Sequence, residues 1–209
     1  MKVGLLNIGI GNILSVYNAL HHLEVPCGII QNSEDVEHYP ALIMPGVGAF
    51  SEAMSSLRNT HLFDAIQTMV RVNKRPLLGI CLGHQLLSEF GDEGGATGGL
   101  GFLPGDVTKL QTKSTNPPIR LPHIGWNTVK VKQNSMMFQS IPDGTSFYFL
   151  HSYHVRMPEL HVLATCHYGE EFTAAAEADN LWSVQFHPEK SHRAGLRLLR
   201  NWLNWSKQW

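Results

Sequence analysis

Short apolar runs alternate with segments of helical periodicity through the first half of the chain, and that alternation constrains the fold more than any other feature. Residues 2–7 read as a strand, and Gly9, Gly11 and Asn12 as a turn. Ile13, Val16, Leu20 and Leu23 then recur at helical spacing. Cys27–Ile30 and residues 41–44 read as further strands, the latter stopped by Pro45-Gly46. Leu62, Ile66, Met69 and Val70 mark a helix over 62–72. Residues 76–80 form a fourth strand, followed by a helix that starts near His84. Strands joined by helices of this length predict a parallel sheet covered on both faces.

The second half changes character. Residues 91–105 are glycine-rich and read as loop. The run 128–132 alternates with period two, as a half-exposed strand does. Further strands are expected over 146–150, 162–165, 172–177 and 182–186, and a terminal helix over 191–205 carries Leu196, Leu199 and Trp202 on one stripe. No linker or internal repeat is visible. The expectation is an α/β fold in a single domain over residues 1–209, with a central mixed, mostly parallel sheet flanked by helices and an antiparallel later part.

Composition excludes several function classes. With 43% hydrophobic residues and a net charge of -1, the chain can bury a core and is not intrinsically disordered. Sixteen Lys and Arg against seventeen Asp and Glu leave no excess positive field, which argues against nucleic acid or a polybasic membrane contact. No stretch approaches the ~18 consecutive apolar residues of a membrane span. Residues 1–7 read as a buried strand rather than a signal peptide. The three cysteines, Cys27, Cys81 and Cys166, are widely spaced and form no Cys-x-x-Cys pair, which suits a reducing compartment such as the cytoplasm. Twelve histidines are many, yet none falls in a zinc-ligand spacing, and no metal or cofactor is expected.

The most informative segment is Gly79-Ile80-Cys81-Leu82-Gly83. A residue between glycines, at the junction of a strand and a helix, matches a nucleophile elbow. With cysteine in the middle it points to a thiol nucleophile, and the positive end of a helix dipole favours the thiolate. Most free cysteines are small buried hydrophobes; Cys27 and Cys166 are read that way. A thiol nucleophile needs a proton shuttle. In His187-Pro188-Glu189, Pro188 biases His187 toward extended backbone, so residues two apart project to one side. Alone, the same tripeptide also suits an exposed histidine before a helix-start glutamate. Met44-Pro45-Gly46-Val47-Gly48 follows a strand and could turn backbone N–H groups into a cleft, as oxyanion stabilisation requires, or could be a plain turn.

Together, Pro45-Gly46-Val47-Gly48, Gly79-Ile80-Cys81-Leu82-Gly83-His84-Gln85 and Gln185-Phe186-His187-Pro188-Glu189 resemble the class I (triad) glutamine amidotransferases. The three motifs span the chain in the family's order. Four further segments resemble one branch, the glutaminase subunits of imidazole glycerol phosphate synthase in histidine biosynthesis. They are Gly9-Ile10-Gly11-Asn12, Gly99-Leu100-Gly101-Phe102-Leu103-Pro104-Gly105, Leu121-Pro122-His123-Ile124-Gly125-Trp126-Asn127 and Phe147-Tyr148-Phe149-Leu150-His151-Ser152-Tyr153. His84 departs from that branch, which often carries Met there.

The resemblance implies a flavodoxin-like fold and a Cys-His-Glu triad of Cys81, His187 and Glu189. It implies that backbone N–H groups of Leu82 and of the Val47 and Gly48 turn hold the oxyanion. Gln85 and Glu93 would hold the amino-acid end of glutamine, with His151, Ser152 and Tyr153 lining the pocket. It also implies a heterodimer with a cyclase subunit of (β/α)8 barrel fold that receives the ammonia. Asn12, Trp126 and Lys190 are the expected interface residues, although Trp126 also suits a core aromatic.

Three other readings are weaker. A dinucleotide-binding oxidoreductase would need a third glycine where Leu14 stands after Gly9-x-Gly11. A non-catalytic partner-binding module would not need Cys81, His187 and Glu189 together. A paralogous glutaminase feeding a polysaccharide-sugar amidating synthase shares much of the Pro122 to Asn127 segment but fits residues 99–105 less well.

Overall fold

The computed structural model describes residues 1–9, 12–111 and 119–209. In chain order it contains β1 (Val3–Leu6), α1 (Ile13–His22), β2 (Cys27–Ile30), β3 (Ala41–Gly46), α2 (Phe50–Asn59), α3 (Leu62–Gln67), β4 (Leu77–Cys81) and α4 (Leu82–Leu86). There follow β5 (Phe90–Gly91), β6 (Thr97–Gly98), β7 (Asp106–Lys109), β8 (His123–Val131), β9 (Ser146–His151) and β10 (Tyr153–Arg156). The chain ends with β11 (Val162–Tyr168), β12 (Glu170–Ala178), β13 (Leu181–Val184) and α5 (His192–Trp205).

Among the described residues, nine strands form one sheet in the order β2-β1-β3-β4-β13-β12-β11-β8-β9, and four form a smaller sheet in the order β10-β7-β5-β6. The first five strands of the large sheet run parallel. The pairings β13–β12, β12–β11, β11–β8 and β8–β9 are antiparallel. Side chains alternate across a strand, so each parallel strand feeds two cores. Ala41 and Ile43 of β3 join the core under α1 and α5, with Leu20, Leu199 and Trp202. Leu42 and Met44 join the opposite core under α2 and α3, with Phe50, Met54 and Ile66. Covering both faces in this way is what lets β1, β3 and β4 be apolar throughout.

Several boundaries differ from expectation. β3 does not stop at Pro45-Gly46 but runs through them, pairing Pro45 with Ile80 and Gly46 with Cys81. β1 pairs only as far as Ile43, so β3 then has a strand on one side only, where a residue without an N–H is tolerated. α4 begins at Leu82, not near His84. The glycine-rich run 91–105 is not all loop, because Thr97–Gly98 pairs with Phe90–Gly91 in the smaller sheet. That sheet also contains β7 and β10, neither of which the sequence marked. Each has four residues, too few for period two to stand out.

Candidate active site

Cys81 sits between β4 and α4 with φ 55 and ψ -107, a left-handed backbone that costs a non-glycine residue about 1–3 kcal/mol. The strain lies on the cysteine itself. The flanking glycines serve close packing: a Cβ on Gly79 would approach the Gly83 carbonyl oxygen at 2.7 Å, and one on Gly83 would collide with that of Met44. The elbow is therefore clamped between β3 and α4, and it lifts the sulfur to the C-terminal edge of the parallel strands, where such sheets place their sites.

The sulfur lies in a cleft of ≈ 420 Å³. Val47, Gly48, Leu82, Gln85, Glu93, His151, Ser152 and Tyr153 all line it, together with Ala49, Pro122 and Leu150. Every residue expected around the oxyanion or the substrate thus meets at one place. A larger groove of ≈ 890 Å³ runs along residues 131–143, but its hydroxyl, Ser135, is committed to Met137 N and Glu177. It offers no nucleophile beside a base.

His187 follows β13, the neighbour of β4, and its imidazole stands behind the cleft. Its Nδ1 lies 2.8 Å from Glu189 Oε1, and both side chains are almost completely buried. Its backbone N–H donates to the Tyr148 carbonyl, and its own carbonyl accepts from Ser191 Oγ. The buried Nε2 has no well-aligned hydrogen-bond partner, yet the Cys81 sulfur is close enough to act on it. Burial opposes the charged imidazole, but the Cys81 sulfur and then the Glu189 carboxylate outweigh it and raise its pKa to about 10. Both neighbours favour the protonated form of the ring. The Cys81 sulfur lies 3.6 Å from the Leu150 carbonyl oxygen, and Gln185 Nε2 donates to it at 3.8 Å.

Gly48 has φ 114 and lies beside Val47 on the cleft wall, facing Leu82, the first residue of α4. N–H groups of a first helical turn have no carbonyl within the helix to meet. The Gln85 amide is held by Tyr153 O at 2.7 Å and Gln185 Oε1 at 3.1 Å. Glu93 Oε2 accepts from Phe50 N at 3.1 Å, and burial raises its pKa. It is a half-buried carboxylate on the cleft wall.

The three expected interface residues lie beside the histidine rather than in the cleft. Trp126 is 48% exposed, not a core aromatic. It stacks on His192 at 5.0 Å and meets Tyr148 edge-on, while Lys190 Nζ lies 5.8 Å above the Tyr148 ring. Asn12 Nδ2 donates to Glu189 Oε1 at 3.4 Å, so this residue also touches the carboxylate that holds His187. Ile10 and Gly11 of the same motif lie outside the described residues. His84 is fully buried away from the cleft, with Nδ1 2.8 Å from Ser183 Oγ. Burial, and then His154, push its pKa down to about 3.

Gln185 belongs to the Gln185–Glu189 motif, but the sequence alone assigns it no role. A signal was present, because Gln185 and His187 stand two apart at the end of the expected strand 182–186, whereas Glu189 lies in a 3-10 turn over Pro188–Lys190 and not on the extended run expected for it. The contribution of the Leu150 carbonyl carried no such signal, since any residue supplies one.

Comparison with known proteins agrees with this geometry. The family profile described as "Glutamine amidotransferase class-I" matches residues 5–205. The "Imidazole glycerol phosphate synthase subunit HisH" of Helicobacter hepaticus is 42% identical, over 97% of this chain and 98% of its own length. The "Imidazole glycerol phosphate synthase subunit HisH 2" of Vibrio vulnificus is 40% identical, over 99% and 96%. Among solved structures, a glutamine amidotransferase superposes with a TM-score of 0.75 at 22% identity, covering 98% of both chains. PurLQS from Thermotoga maritima gives the same TM-score at 16% identity and the same coverage. At these identities the structures speak to fold alone.

Proposed function

The chain belongs to the class-I glutamine amidotransferases, and from that premise we propose that it is the glutaminase subunit of an imidazole glycerol phosphate synthase. The observation that carries this reading is Cys81 on a strained elbow in the cleft, with the His187–Glu189 pair behind it. The similarity to the HisH subunits along almost the whole chain supports the choice of branch.

In the proposed reaction the Cys81 sulfur attacks the side-chain carboxamide carbon of glutamine, and the carbonyl π electrons move onto oxygen. Backbone N–H groups at Leu82 and in the Val47–Gly48 turn stabilise that oxyanion, as donors aimed at developing charge do. His187, holding the proton that came from the thiol, delivers it through Nε2 to the leaving nitrogen. Ammonia departs as the carbonyl re-forms, leaving a glutamyl thioester. A water molecule then gives a proton to His187 and attacks the thioester carbon. The sulfur leaves, the proton returns to it, and glutamate is released. Glu189 keeps the imidazole oriented throughout and balances its charge. Gln85 and Glu93, with His151, Ser152 and Tyr153, hold the amino-acid end.

Ammonia must reach its acceptor unprotonated, which bulk water at neutral pH prevents. A partner that receives it directly follows from that requirement, and the proposed partner is a cyclase subunit of (β/α)8 barrel fold in a heterodimer. The exposed Trp126, with Tyr148, His192 and Lys190 beside it, supplies an aromatic and cationic patch of the kind that anchors interfaces. We place the protein in the cytoplasm, as one glutaminase domain over residues 1–209. Its three cysteines are unpaired, and no helix among the described residues is long and apolar enough to cross a membrane.

The test is a pull-down followed by a glutamate-release assay on the recovered complex. A barrel-shaped cyclase that takes ammonia from glutamine supports the proposal. A sugar-modifying synthase in its place would move the chain to the paralogous branch. No glutamate release, alone or in complex, would favour a non-catalytic partner.

A further inference from the structure

We propose that Asn127, His123 and His151 are positioning residues, forming a one-directional hydrogen-bond chain that holds the cleft wall at Tyr153 and, through Gln85 and Gln185, the Cys81 sulfur. The proposal rests on the glutaminase reading for its catalytic consequence, but not for the chain itself.

The direction of every bond is set by groups that can only accept. Asn127 Nδ2 lies 3.0 Å from the His167 carbonyl oxygen, so this atom is the amide nitrogen, and Asn127 Oδ1 accepts from Thr128 N. Its second hydrogen points at His123 Nε2, 3.2 Å away, which must therefore accept. A neutral His123 then carries its proton on Nδ1 and donates it to His151 Nε2 at 3.0 Å. His151 in turn carries its proton on Nδ1 and donates it to the Tyr153 carbonyl oxygen at 2.9 Å. Gln85 Nε2 donates to that same oxygen and to Gln185 Oε1, and Gln185 Nε2 donates to the sulfur. An additional proton on either histidine would set two N–H groups face to face, so both rings must stay neutral.

Packing holds the pair in register. His123 and His151 are direct partners in the β8–β9 ladder. The His123 ring lies between Tyr168 at 4.0 Å and Phe149 at 4.8 Å, both stacked, and Phe172 meets His151 edge-on at 4.9 Å. Burial pushes the pKa values down, to about 4 for His123 and about 3 for His151. The other titratable groups acting on His151 are His154 on β10 and His187 after β13. Tyr168, against His123, has its hydroxyl donated to Arg120 O. The hydrogen bonds run unbroken from Asn127, the residue after Trp126 in β8, to the sulfur.

Long-range ¹⁵N–¹H spectra of the full chain labelled at histidine test the chain directly. The expected result is a proton on Nδ1 of both His123 and His151, with neither ring titrating down to about pH 5. A proton on Nε2 of His151, or titration of either ring near the ordinary 6.5, overturns the proposal. The His123→Phe variant retains a ring between Tyr168 and Phe149 but neither donates nor accepts. In the complex with its partner, kcat for glutamine is expected to fall on the order of tenfold with KM little changed, while His151 stays neutral because burial is the larger cause of its low pKa. An unchanged kcat, or a lowered melting temperature as the sole effect, would assign His123 to packing and sink the proposal. The ring spectra do not depend on turnover, so they separate this failure from a failure of the glutaminase reading.

Discussion

In the parallel half of the large sheet, the ends of β3, β4 and β13 deliver the Val47–Gly48 turn, Cys81 and His187 to one edge. In the antiparallel half, β8 and β9 deliver no reacting atom. They deliver the carbonyl of Leu150, the neutral pair His123–His151 and the exposed Trp126. The first half works through residues at strand ends, each on its own short motif. The second works through pairs that exist only once two strands are in register. The lesson is a division of labour: parallel strand ends gather the proposed catalytic residues, and the antiparallel ladder holds the cleft wall beside them.

Substitutions can break this comparison, beginning with the proposed nucleophile. Cys81→Ala is expected to abolish glutamine-dependent turnover while leaving synthesis from ammonium salts intact. Steady-state assays of the complex with each nitrogen donor check this, and loss of both activities would contradict the assignment. Glu189→Gln is expected to lower kcat on the order of a hundredfold or more, as removal of an orienting carboxylate does. It also removes a charge that holds the His187 pKa up to about 10. The alkaline limb of the pH–rate profile, expected near that value in the natural protein, should therefore move toward neutral. A limb that stays in place would mean that Glu189 does not act on His187.

On the antiparallel side, Trp126→Ala is expected to weaken partner binding by ~2 kcal/mol, about 30-fold in Kd, with an unchanged melting temperature. Calorimetric titration of the two subunits checks the first part and thermal unfolding the second. Gly83→Ala should instead damage the parallel half. Its new Cβ would run into the Met44 carbonyl, and overpacking of this kind costs ~1–3 kcal/mol. A lowered melting temperature is the expected outcome, and an unchanged one would show that the elbow has room.

The buried histidines also divide in their response to pH. Folded-state pKa values of about 3 to 4 for His84, His123 and His151 lie below the unfolded value near 6.5. The unfolded chain then binds more protons in that window, so stability is full above pH ~6.5 and falls toward pH ~3. His187 works in the opposite sense. Its raised pKa contributes stability fully below pH ~6.5, and that contribution is lost as pH rises through about 10. Melting temperatures measured across this range should fall on both sides of neutrality. Replacing His123 by Phe should soften the acid side alone.

Much of the parallel half was legible in the sequence because its information is local. The glycines around Cys81 announce a tight turn before any tertiary contact forms, and His187 does meet Glu189, although through a 3-10 turn over Pro188–Lys190 and not along the extended run expected. The boundaries that failed did so where context overrode local signals. Pro45-Gly46 looks like a stop, yet it continues β3, because one edge there has no strand partner. β7 and β10 are four residues each and become visible only when they pair. Asn12 could be singled out as important, but its contact with Glu189 spans 177 positions.

What the amino-acid order determined by itself was the alternation that makes a covered parallel sheet, the sulfur at a strand–helix junction, and the histidine–glutamate pair. These depend on backbone preferences and on the period of the side chains, which act over a few residues. Tertiary structure alone decided that His187 stands behind Cys81, that Trp126 is exposed beside it, and that His123 meets His151. Such contacts depend on strand order and register, which follow from how the whole sheet buries its two faces and not from any single segment.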